Sequence, residues 1–316
     1  MRAAVFSRFG GPDVVEVREV RDPEPAVGEV LVRVEAASVG ASDAAGRSGK
    51  PRIARLMFGL GPRDQVLGSD FAGTVERVGA DVTEWMPGDR VFGATGASWG
   101  GHAELITVKE RGAIAALPDE VTPAQAVALT DGGMTALPFL RDTGRLRAGM
   151  RVLVIGASGA VGSAAVQLAK HLGAYVTAVT TNTELALALG ADEAIDYRER
   201  DVTAEGERFD LVFDAVGSTS FRRVRGILSP EGAYLTTVPG AVLLDRLVTR
   251  RARIAFTGLR KDADKRPDLD ELALLAAAGI LDPLVDGEYS LDDVRSAHAR
   301  VDTGRKRGTV VLRPGE

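Results

Sequence analysis

The residues best suited to chemistry in this chain form a run of small side chains, residues 156–162, which reads Gly-Ala-Ser-Gly-Ala-Val-Gly. Glycine at position 159 allows the backbone to approach a pyrophosphate closely, and glycine at position 162 allows a helix to pack tightly on a strand. The free N–H groups at the start of that helix attract an anion. The spacing therefore predicts a dinucleotide-binding turn. Its candidate residues are Ala157, Ser158, Gly159, Ala160, Val161 and Gly162.

The segments on both sides of this turn have the periodicity that such a site needs. Residues 152–155 form a continuous apolar run, as expected for a buried parallel strand, and apolar residues then recur at helical spacing from Val161 to Leu172. A second apolar run at residues 175–179 predicts the next strand. A tight turn between strand and helix in another doubly wound protein would share these features. A Walker-type phosphate loop fits less well, because Ser163 follows Gly162 where that motif has lysine.

The composition indicates a soluble globular protein. The chain has 316 residues, of which 45% are hydrophobic and 26% are charged, and this length is sufficient for two domains. A net charge of −5 gives no reason to expect a nucleic acid or an anionic membrane as a partner. No apolar stretch approaches the roughly 20 residues of a membrane span, and the N-terminus lacks the apolar core of a signal peptide. We therefore expect a cytoplasmic protein.

Cysteine is absent and histidine is scarce, which limits the possible catalytic groups. Without cysteine the chain has no disulfide, no thiolate nucleophile and no thiolate ligand for zinc. The histidines are His102, His171 and His298, and their scattered positions do not predict a metal site. We expect His171 and His298, which lie in predicted helices, to have surface or packing roles.

Two kinds of pattern divide the chain. Residues 1–118 contain short strand-like runs separated by glycine and proline, which predicts a mostly β, barrel-like domain. Residues 119–262 alternate between strands and helices, and their six predicted strands fit a doubly wound parallel sheet in the order 3-2-1-4-5-6. Residues 263–316 are predicted to return to the first domain through a final strand at 309–312. Residues 51–62 are predicted to form a loop or short helix near the rim of the barrel.

Several motifs together resemble those of a known family. They occur at residues 28–39 (GEVLVRVEAASV), 66–82 (VLGSDFAGTVERVGADV), 87–94 (PGDRVFGA), 152–174 (VLVIGASGAVGSAAVQLAKHLGA), 189–197 (LGADEAIDY) and 210–217 (DLVFDAVG). Over nearly its whole length the chain resembles the medium-chain dehydrogenase/reductase superfamily, in its zinc-independent quinone oxidoreductase (zeta-crystallin-like) branch. The resemblance implies an α/β fold with a GroES-like, mostly-β catalytic domain (1–118 and 263–316) and a Rossmann NADP-binding domain (119–262).

The resemblance also implies a function. Relatives in this branch transfer a hydride from NADPH to a quinone or to a conjugated enone or enal, and we expect the same of this chain. Zinc-dependent members carry Gly-His-Glu where this chain has Gly68-Ser69-Asp70, so the resemblance implies that no metal is used. Two alternatives stay open: a double-bond reductase dedicated to one biosynthetic pathway, and a non-catalytic NADPH-binding protein with a crystallin-like or sensor role.

The resemblance implies an acceptor pocket but assigns no essential acid or base. The candidate residues that line it are Ser42, Asp43, Arg47 and Thr135. Asp43 either caps the helix that follows or touches the substrate, Arg47 either attracts an oxyanion or lies in solvent, and Thr135 approaches the nicotinamide. Relatives commonly have asparagine at the position of Gly40, and some have tyrosines at the positions of Ala45 and Pro51, so we expect a more open or differently shaped pocket here.

The cofactor preference depends on the residues after the second strand of the parallel sheet. An acidic residue there would bind the ribose 2′-hydroxyl and repel a 2′-phosphate, but this chain has the neutral Thr180, Thr181 and Asn182. Neutral hydrogen bonds predict a preference for NADPH over NADH of about tenfold. Tyr197 either contacts the 2′-phosphate region, as the resemblance implies, or packs on the sheet. By the same resemblance, the cofactor cleft is also lined by Ser218, Val238, Gly240 and Thr257.

The resemblance further implies a homodimer. Relatives pair through the edge of the cofactor-domain sheet, which here corresponds to the predicted sixth strand at residues 253–258. Ile254 and Phe256 would then extend the sheet across the two copies. The partners that we expect are a small-molecule quinone or enone and a second copy of the chain.

Overall fold

The secondary structure comes from a computed structural model that describes residues 1–50, 64–204, 206 and 208–315. Its strands are β1 (Arg2–Phe6), β2 (Val15–Glu19), β3 (Glu29–Val39), β4 (Gln65–Val66), β5 (Asp70–Val78), β6 (Arg90–Ala94), β7 (Leu105–Lys109), β8 (Ala113–Ala116), β9 (Arg151–Ile155), β10 (Tyr175–Val179), β11 (Glu193–Ile195), β12 (Phe209–Asp214), β13 (Leu228–Thr236), β14 (Ala252–Arg253), β15 (Val285–Ser290) and β16 (Thr309–Arg313). Its α-helices are α1 (Ala41–Ser48), α2 (Pro123–Ala128), α3 (Met134–Pro138), α4 (Ala160–His171), α5 (Thr183–Ala188), α6 (Phe221–Val224), α7 (Ala241–Val248), α8 (Asp262–Ala277) and α9 (Val294–Asp302). The predicted loop or short helix at residues 51–62 lies outside the described residues.

The chain divides into two compact units. Unit 1 comprises Met1–Asp131, Arg260–Ala277 and Leu284–Glu316, and unit 2 comprises Gly132–Leu259 and Ala278–Pro283. The sequence pattern places the corresponding boundaries at 118/119 and 262/263. No helix in the described part of either unit combines the length and the apolar composition needed to cross a membrane.

Unit 2 contains a six-stranded parallel sheet. Its strand order is β11-β10-β9-β12-β13-β14, which is the predicted order 3-2-1-4-5-6 counted from β9. The central strand β9 is buried at Val152, Leu153 and Val154, because helices cover both faces of such a sheet. Since all six strands run in the same direction, their carboxyl ends meet at one edge, where a doubly wound sheet binds its ligand.

The sixth strand is shorter than the sequence predicts. The apolar residues at 253–258 predict an edge strand, but β14 ends at Arg253, and Thr257–Leu259 forms a 3₁₀ turn. Ile254 is only 7% exposed and belongs to the core of unit 2. Residues 254–258 therefore do not continue the strand as predicted, and the pairing of two copies through this edge, with Ile254 and Phe256 extending the sheet, stays a prediction.

Unit 1 is built from mostly antiparallel sheets. A seven-stranded sheet has the order β15-β16-β3-β5-β6-β8, with β7 also paired to β3, and a smaller sheet has the order β2-β1-β4. The pairing of β3 with β5 is irregular at two points, between Leu31 and Val32 and between Val34 and Ala36. The late strand β16 pairs with β3 next to Val39, so the chain returns to this unit as predicted. The predicted fold class, a mostly-β domain and a doubly wound parallel-sheet domain, is confirmed.

Candidate cofactor site and a buried polar cluster

The turn after β9 has the backbone geometry of an anion site. Gly156, directly after the strand, has a φ of +82°, a left-handed conformation that favours glycine, and its N–H donates to Val179 O at 3.0 Å. Gly159 is the N-cap of the twelve-residue helix α4. The N–H groups of the first helical residues, from Ala160 onward, have no carbonyl partner within the helix and point out of its N-terminus. The candidate residues predicted from the sequence start at Ala157 and leave out Gly156, although the position of this glycine at the end of the strand signals its role.

Gly159 and Gly162 are glycines for different reasons. A Cβ at Gly162 would lie 2.1 Å from Gly156 O, so the packing of α4 on the turn requires glycine there. A Cβ at Gly159 would meet only Gly156 O among the described atoms, at an ordinary 3.5 Å. The φ of −79° and ψ of 172° at Gly159 are open to any residue. The protein's own packing thus does not demand glycine at 159, and the open space beside it fits the close approach of a pyrophosphate.

The candidates after β10 divide into one structural side chain and two accessible ones. Thr180 is 3% exposed, and its hydroxyl pairs with Ser158 Oγ at 2.8 Å and accepts a hydrogen bond from the Asn182 N–H at 3.1 Å. Thr181 is exposed, and Asn182 is half-buried. Thr180 and Ser158 therefore join the glycine turn to the end of β10, and Thr181 and Asn182 are open to a ligand.

A carboxylate that the sequence analysis did not single out organises the loop after β12. Asp214 is fully buried and accepts hydrogen bonds at 2.8–3.2 Å from the N–H groups of residues 216–219. The Tyr234 hydroxyl also donates to Asp214, at 3.2 Å, and burial together with this carboxylate raises the pKa of Tyr234 well above its usual value. Ser218 is thereby held with its side chain exposed. The signal in the sequence is an aspartate at a strand end followed by Ala-Val-Gly, a composition typical of a turn.

The other cofactor candidates follow further strands of the same sheet. Tyr197 comes after β11 and is 62% exposed, so most of its surface is open rather than packed on the sheet. Val238 follows β13 and is half exposed. Gly240 precedes α7, and Thr257 lies in the turn after β14. Because these strands are parallel, the residues that follow them lie at the same carboxyl edge of the sheet as the glycine turn.

Thr135 lies in α3, in a helical segment of unit 2 that packs on the start of α4. A Cβ on Gly132 would lie 2.4 Å from Ala160 O, so this segment approaches the first turn of α4 as closely as glycine allows. Thr135 itself is half-buried. The helix continues as a π-helical segment at Phe139–Gly144, an irregularity that is frequent near functional sites. The structure therefore brings the segment that carries Thr135 next to the glycine turn.

In unit 1, Asp43 has a structural role. Its Oδ2 accepts a hydrogen bond from the Gly40 N–H at 2.8 Å, which caps α1, and its Oδ1 accepts one from the Gly68 N–H at 3.0 Å. The side chain is fully buried, and burial raises the pKa of Asp43. Of its two predicted roles, capping is the one observed, since both oxygens are occupied and the carboxylate is closed to a substrate. The neighbouring Ser42 is exposed in the first turn of α1.

Arg47 has neither of its two predicted roles. Its side chain is 1% exposed, and its Nη2 donates to both carboxylate oxygens of Asp302 at 2.6 and 2.7 Å. The prediction of an arginine in the pocket or in solvent is therefore wrong, because this guanidinium is a buried link between α1 and α9. No local pattern signals the pair, since its members are 255 positions apart.

A second buried carboxyl group, Asp70, belongs to a polar cluster of unit 1 that the sequence analysis missed. Asp70 accepts a hydrogen bond from Ser38 Oγ at 2.6 Å. Burial, together with the nearby carboxylates of Asp131 and Asp43, raises the pKa of Asp70 well above its usual value. A Cβ on Gly40, where relatives have asparagine, would lie 3.1 Å from Asp131 Oδ1. Gly40, where this chain departs from its relatives, therefore lies at the border of the cluster.

Asp131 connects this polar cluster to the C-terminal segment of unit 1. Its carboxylate accepts hydrogen bonds from Lys306 Nζ and Thr309 Oγ1, both at 3.0 Å. These residues come from distant segments of the chain, so only the folded structure shows that they meet.

Two buried histidines pack on each other beside this cluster. The rings of His102 and His298 meet edge to face with their centroids 5.7 Å apart. His102 Nε2 lies 2.8 Å from Ser38 O, whereas neither nitrogen of His298 has a hydrogen-bond partner among the described residues. Burial lowers the pKa of His298 to about 2. The packing role predicted for His298 is confirmed, and His171 is exposed.

The donor groups of this chain do not fit the zinc sites of zinc-dependent relatives. Such sites use cysteine and histidine, and this chain has no cysteine and has Ser69 at the position of the ligand histidine. Within the described ranges, no three histidine, aspartate or glutamate side chains are grouped as a metal ion requires.

Two family models match the chain. Residues 26–119 match the alcohol dehydrogenase GroES-like domain, and residues 189–312 match the zinc-binding dehydrogenase family. The first match covers most of the early part of unit 1, and the second extends from the parallel sheet to the last strand. Together they cover both kinds of structure found in the chain.

Relatives of known name match nearly the whole chain. A quinone oxidoreductase of Pseudomonas aeruginosa is 32% identical over 330 residues, which cover 98% of each chain. An NADPH-dependent alkenal/one oxidoreductase of Arabidopsis thaliana is 32% identical, with 99% of this chain and 80% of that protein covered.

Solved structures of similar proteins share the complete fold. The quinone oxidoreductase from Coxiella burnetii matches with a TM-score of 0.90 and 28% identity over 99% of both chains. The Escherichia coli quinone oxidoreductase complexed with NADPH matches with a TM-score of 0.83 and 26% identity, over 99% of this chain and 100% of that one. The chain therefore belongs to the medium-chain dehydrogenase/reductase superfamily, in its quinone oxidoreductase branch.

Proposed function

We propose that this chain is an NADPH-dependent oxidoreductase that reduces quinones or conjugated enones and enals. The observation that carries the proposal is the turn at residues 156–162, where open space beside Gly159 adjoins the free N–H groups at the start of α4. The names of the similar proteins support NADPH as the cofactor and an electron-poor quinone or alkenal as the acceptor.

The chain's own residues bind and orient the reactants. When bound, the reduced nicotinamide supplies a hydride to an electron-poor carbon of the acceptor. The N–H groups from Ala160 onward hold the pyrophosphate, and Thr181 and Asn182 meet the adenosine ribose. The acceptor oxygen gains negative charge in this step, which a hydroxyl such as that of Thr135, a backbone N–H or water stabilises before a proton from solvent neutralises it.

We propose that no single side chain is essential as an acid, base or nucleophile. The two charged candidates of unit 1 both make structural contacts: Asp43 accepts from two backbone N–H groups, and Arg47 donates to Asp302. Catalysis then rests on holding the two reactants in contact while bulk water is excluded.

A panel of acceptors tests the proposal. We expect oxidation of NADPH, followed by its absorbance, with both quinones and conjugated enones. Turnover of one enoyl substrate alone, with no quinone reduced, would instead support the dedicated double-bond reductase. Tight binding of NADPH with no turnover of any acceptor would support a non-catalytic NADPH-binding protein.

We also propose that two copies associate through the open edge of the parallel sheet. The helix α7, which contacts the edge strand β14, exposes apolar side chains to an extent of 45–84%: Leu243, Leu244, Leu247 and Val248. Such a concentration of exposed apolar groups indicates a surface that a partner covers. Light scattering at micromolar concentration should show a dimer, and Leu244→Glu combined with Leu247→Glu should convert it to a monomer. A monomeric wild-type chain would contradict this proposal.

A further inference from the structure

The proposed function requires residues that bind the 2′-phosphate of the cofactor. The residues after β10 offer no cation for it, but those after the neighbouring strand do. Thr181 and Asn182 carry no charge. The strand β11 pairs with β10 in parallel, with Val179 opposite Ile195. The residues that follow β11 therefore begin level with the end of β10, one strand spacing of about 4.8 Å away. These residues are Asp196, Tyr197 and Arg198.

Arg198 lies in a tight turn directly after β11. Its backbone N–H donates to Asp196 Oδ1 at 2.9 Å, and the Arg200 N–H donates to Asp196 O at 3.0 Å. The Arg198 side chain returns to the same carboxylate: Nε lies 3.0 and 3.1 Å from its two oxygens, and Nη2 also donates to it. Backbone and side chain contacts to Asp196 thus fix the place of the guanidinium.

The arginine is the outward-facing partner of this ion pair. The side chain of Arg198 is 64% exposed, whereas that of Asp196 is 10% exposed. A guanidinium has five N–H donors, which is more than the contacts to Asp196 use, and its planar shape matches a phosphate. The hydrogen bonds from Arg198 lower the pKa of Asp196, so the carboxylate stays ionised and keeps the arginine in position.

We propose that Arg198 binds the 2′-phosphate of NADPH and that Asp196 is its positioning residue. This inference rests on the proposed function, because the 2′-phosphate belongs to that cofactor. Doubly wound proteins usually carry the ribose-selecting residue at the end of the second strand. Here the selecting charge comes from the end of the third strand, and Thr181 and Asn182 add neutral hydrogen bonds.

Binding of two adenosine fragments to the full chain tests the proposal by calorimetry. Adenosine 2′,5′-bisphosphate and adenosine 5′-monophosphate differ only in the 2′-phosphate. Arg198→Gln should weaken binding of the bisphosphate about tenfold and leave binding of the monophosphate unchanged. The loss should shrink at high salt, because the contact is exposed. Arg33→Gln is the matched control: it removes an arginine that is 60% exposed and paired with Glu76 in unit 1, and it should change neither affinity.

A second variant separates the charge of Arg198 from the shape of its turn. Asp196→Asn keeps an oxygen that accepts from the Arg198 N–H but removes the negative charge that neutralises the guanidinium. This variant should bind the bisphosphate more weakly than the wild type, because the guanidinium loses the charge that holds it in position, and it should bind the monophosphate as the wild type does. The loss should not add to that of Arg198→Gln, as expected for two residues that act together.

The outcomes distinguish this inference from the proposed function. If Arg198→Gln binds the bisphosphate as tightly as the wild type does, or if it weakens both fragments equally, Arg198 does not select the 2′-phosphate and the inference is overturned. The same selective loss from Arg200→Gln instead of Arg198→Gln also overturns it. In each of these cases the proposed function stands, provided that the wild type binds NADPH. A wild-type chain that binds neither NADPH nor NADH contradicts the proposed function itself.

Discussion

The glycine turn of unit 2 and the polar cluster of unit 1 place their functional groups in opposite ways. The turn is a contiguous stretch of seven residues, and its groups are backbone N–H donors and empty space beside Gly159. The cluster consists of side chains from distant segments, such as Asp70 with Ser38 and Asp131 with Lys306. A sequence motif that matches a family therefore identifies directly a site built from backbone groups. A polar side chain at a matched position, by contrast, is as easily a structural link as a catalytic group.

The sharpest way to test this comparison is to fill the space beside Gly159. Gly159→Val should weaken NADPH binding at least about a hundredfold, because the branched side chain occupies the place of the pyrophosphate. The thermal stability without ligand should change little, since a Cβ there meets no close neighbour. Calorimetry and thermal unfolding measure the two effects.

Gly162→Ala is the matched control for this experiment. Its Cβ would lie 2.1 Å from Gly156 O, so we expect a loss of stability even without ligand. Normal NADPH binding by Gly159→Val would contradict the assignment of the turn.

In unit 1, the corresponding test is to remove the buried guanidinium. Arg47→Met should lower the free energy of unfolding by about 2 kcal/mol, below the usual cost of breaking a buried ion pair because Asp302 is 38% exposed. Turnover by the folded fraction should persist. Urea unfolding measures the stability, and Arg33→Met, at an exposed ion pair, should cost less than about 1 kcal/mol. Complete loss of turnover with full stability would show that Arg47 is catalytic after all.

A smaller change in the free energy of unfolding is expected when the pH is lowered. The pKa of His298 falls from 6.5 to about 2 on folding, so below pH 6.5 the unfolded chain binds a proton that the folded chain does not. Stability is therefore retained above pH 6.5 and lost as the pH falls. Between about pH 7.5 and about pH 5.5 the loss from this group is about 1.4 kcal/mol.

Comparison with His298→Leu isolates this contribution. The variant should lose less stability over the same interval in urea unfolding. Asp70, whose raised pKa acts in the opposite direction, is present in both proteins and cancels in the difference. The exposed His171 serves as the control position, and His171→Leu should keep the wild-type pH dependence. Equal pH dependence in wild type and His298→Leu would contradict the burial of a neutral His298.

The smallest effects are expected at the two remaining pocket candidates. Ser42→Ala and Thr135→Ala each remove one neutral hydroxyl, worth about 1 kcal/mol, so hydride transfer should slow no more than about tenfold. Stopped-flow measurement at saturating NADPH isolates this step. If either substitution abolishes the chemical step while the cofactor still binds, the protein uses a specific catalytic hydroxyl.

The sequence was sufficient to predict the parts that depend on local pattern. The parallel sheet and its strand order follow from buried apolar runs separated by helices, and the turn follows from glycines at fixed spacing. The helix cap by Asp43 was among the alternatives because capping is also a local interaction. What failed depends on distant contacts. The local sequence around Arg47 is the same whether its side chain lies in a pocket, in solvent or against Asp302, which is 255 positions away, and only the folded structure decides.

The pairing of β16 with β3 has a consequence for how the protein is made. β3 is complete once residue 39 has been synthesised, but one of its neighbours in the sheet, β16, spans Thr309–Arg313. During translation this edge of β3 stays open while the whole of the parallel sheet leaves the ribosome. Unit 2, whose strands lie between residues 151 and 253, can therefore fold first, since domains fold as units. The half of the protein that begins the chain can complete its sheet only after the other half has been synthesised.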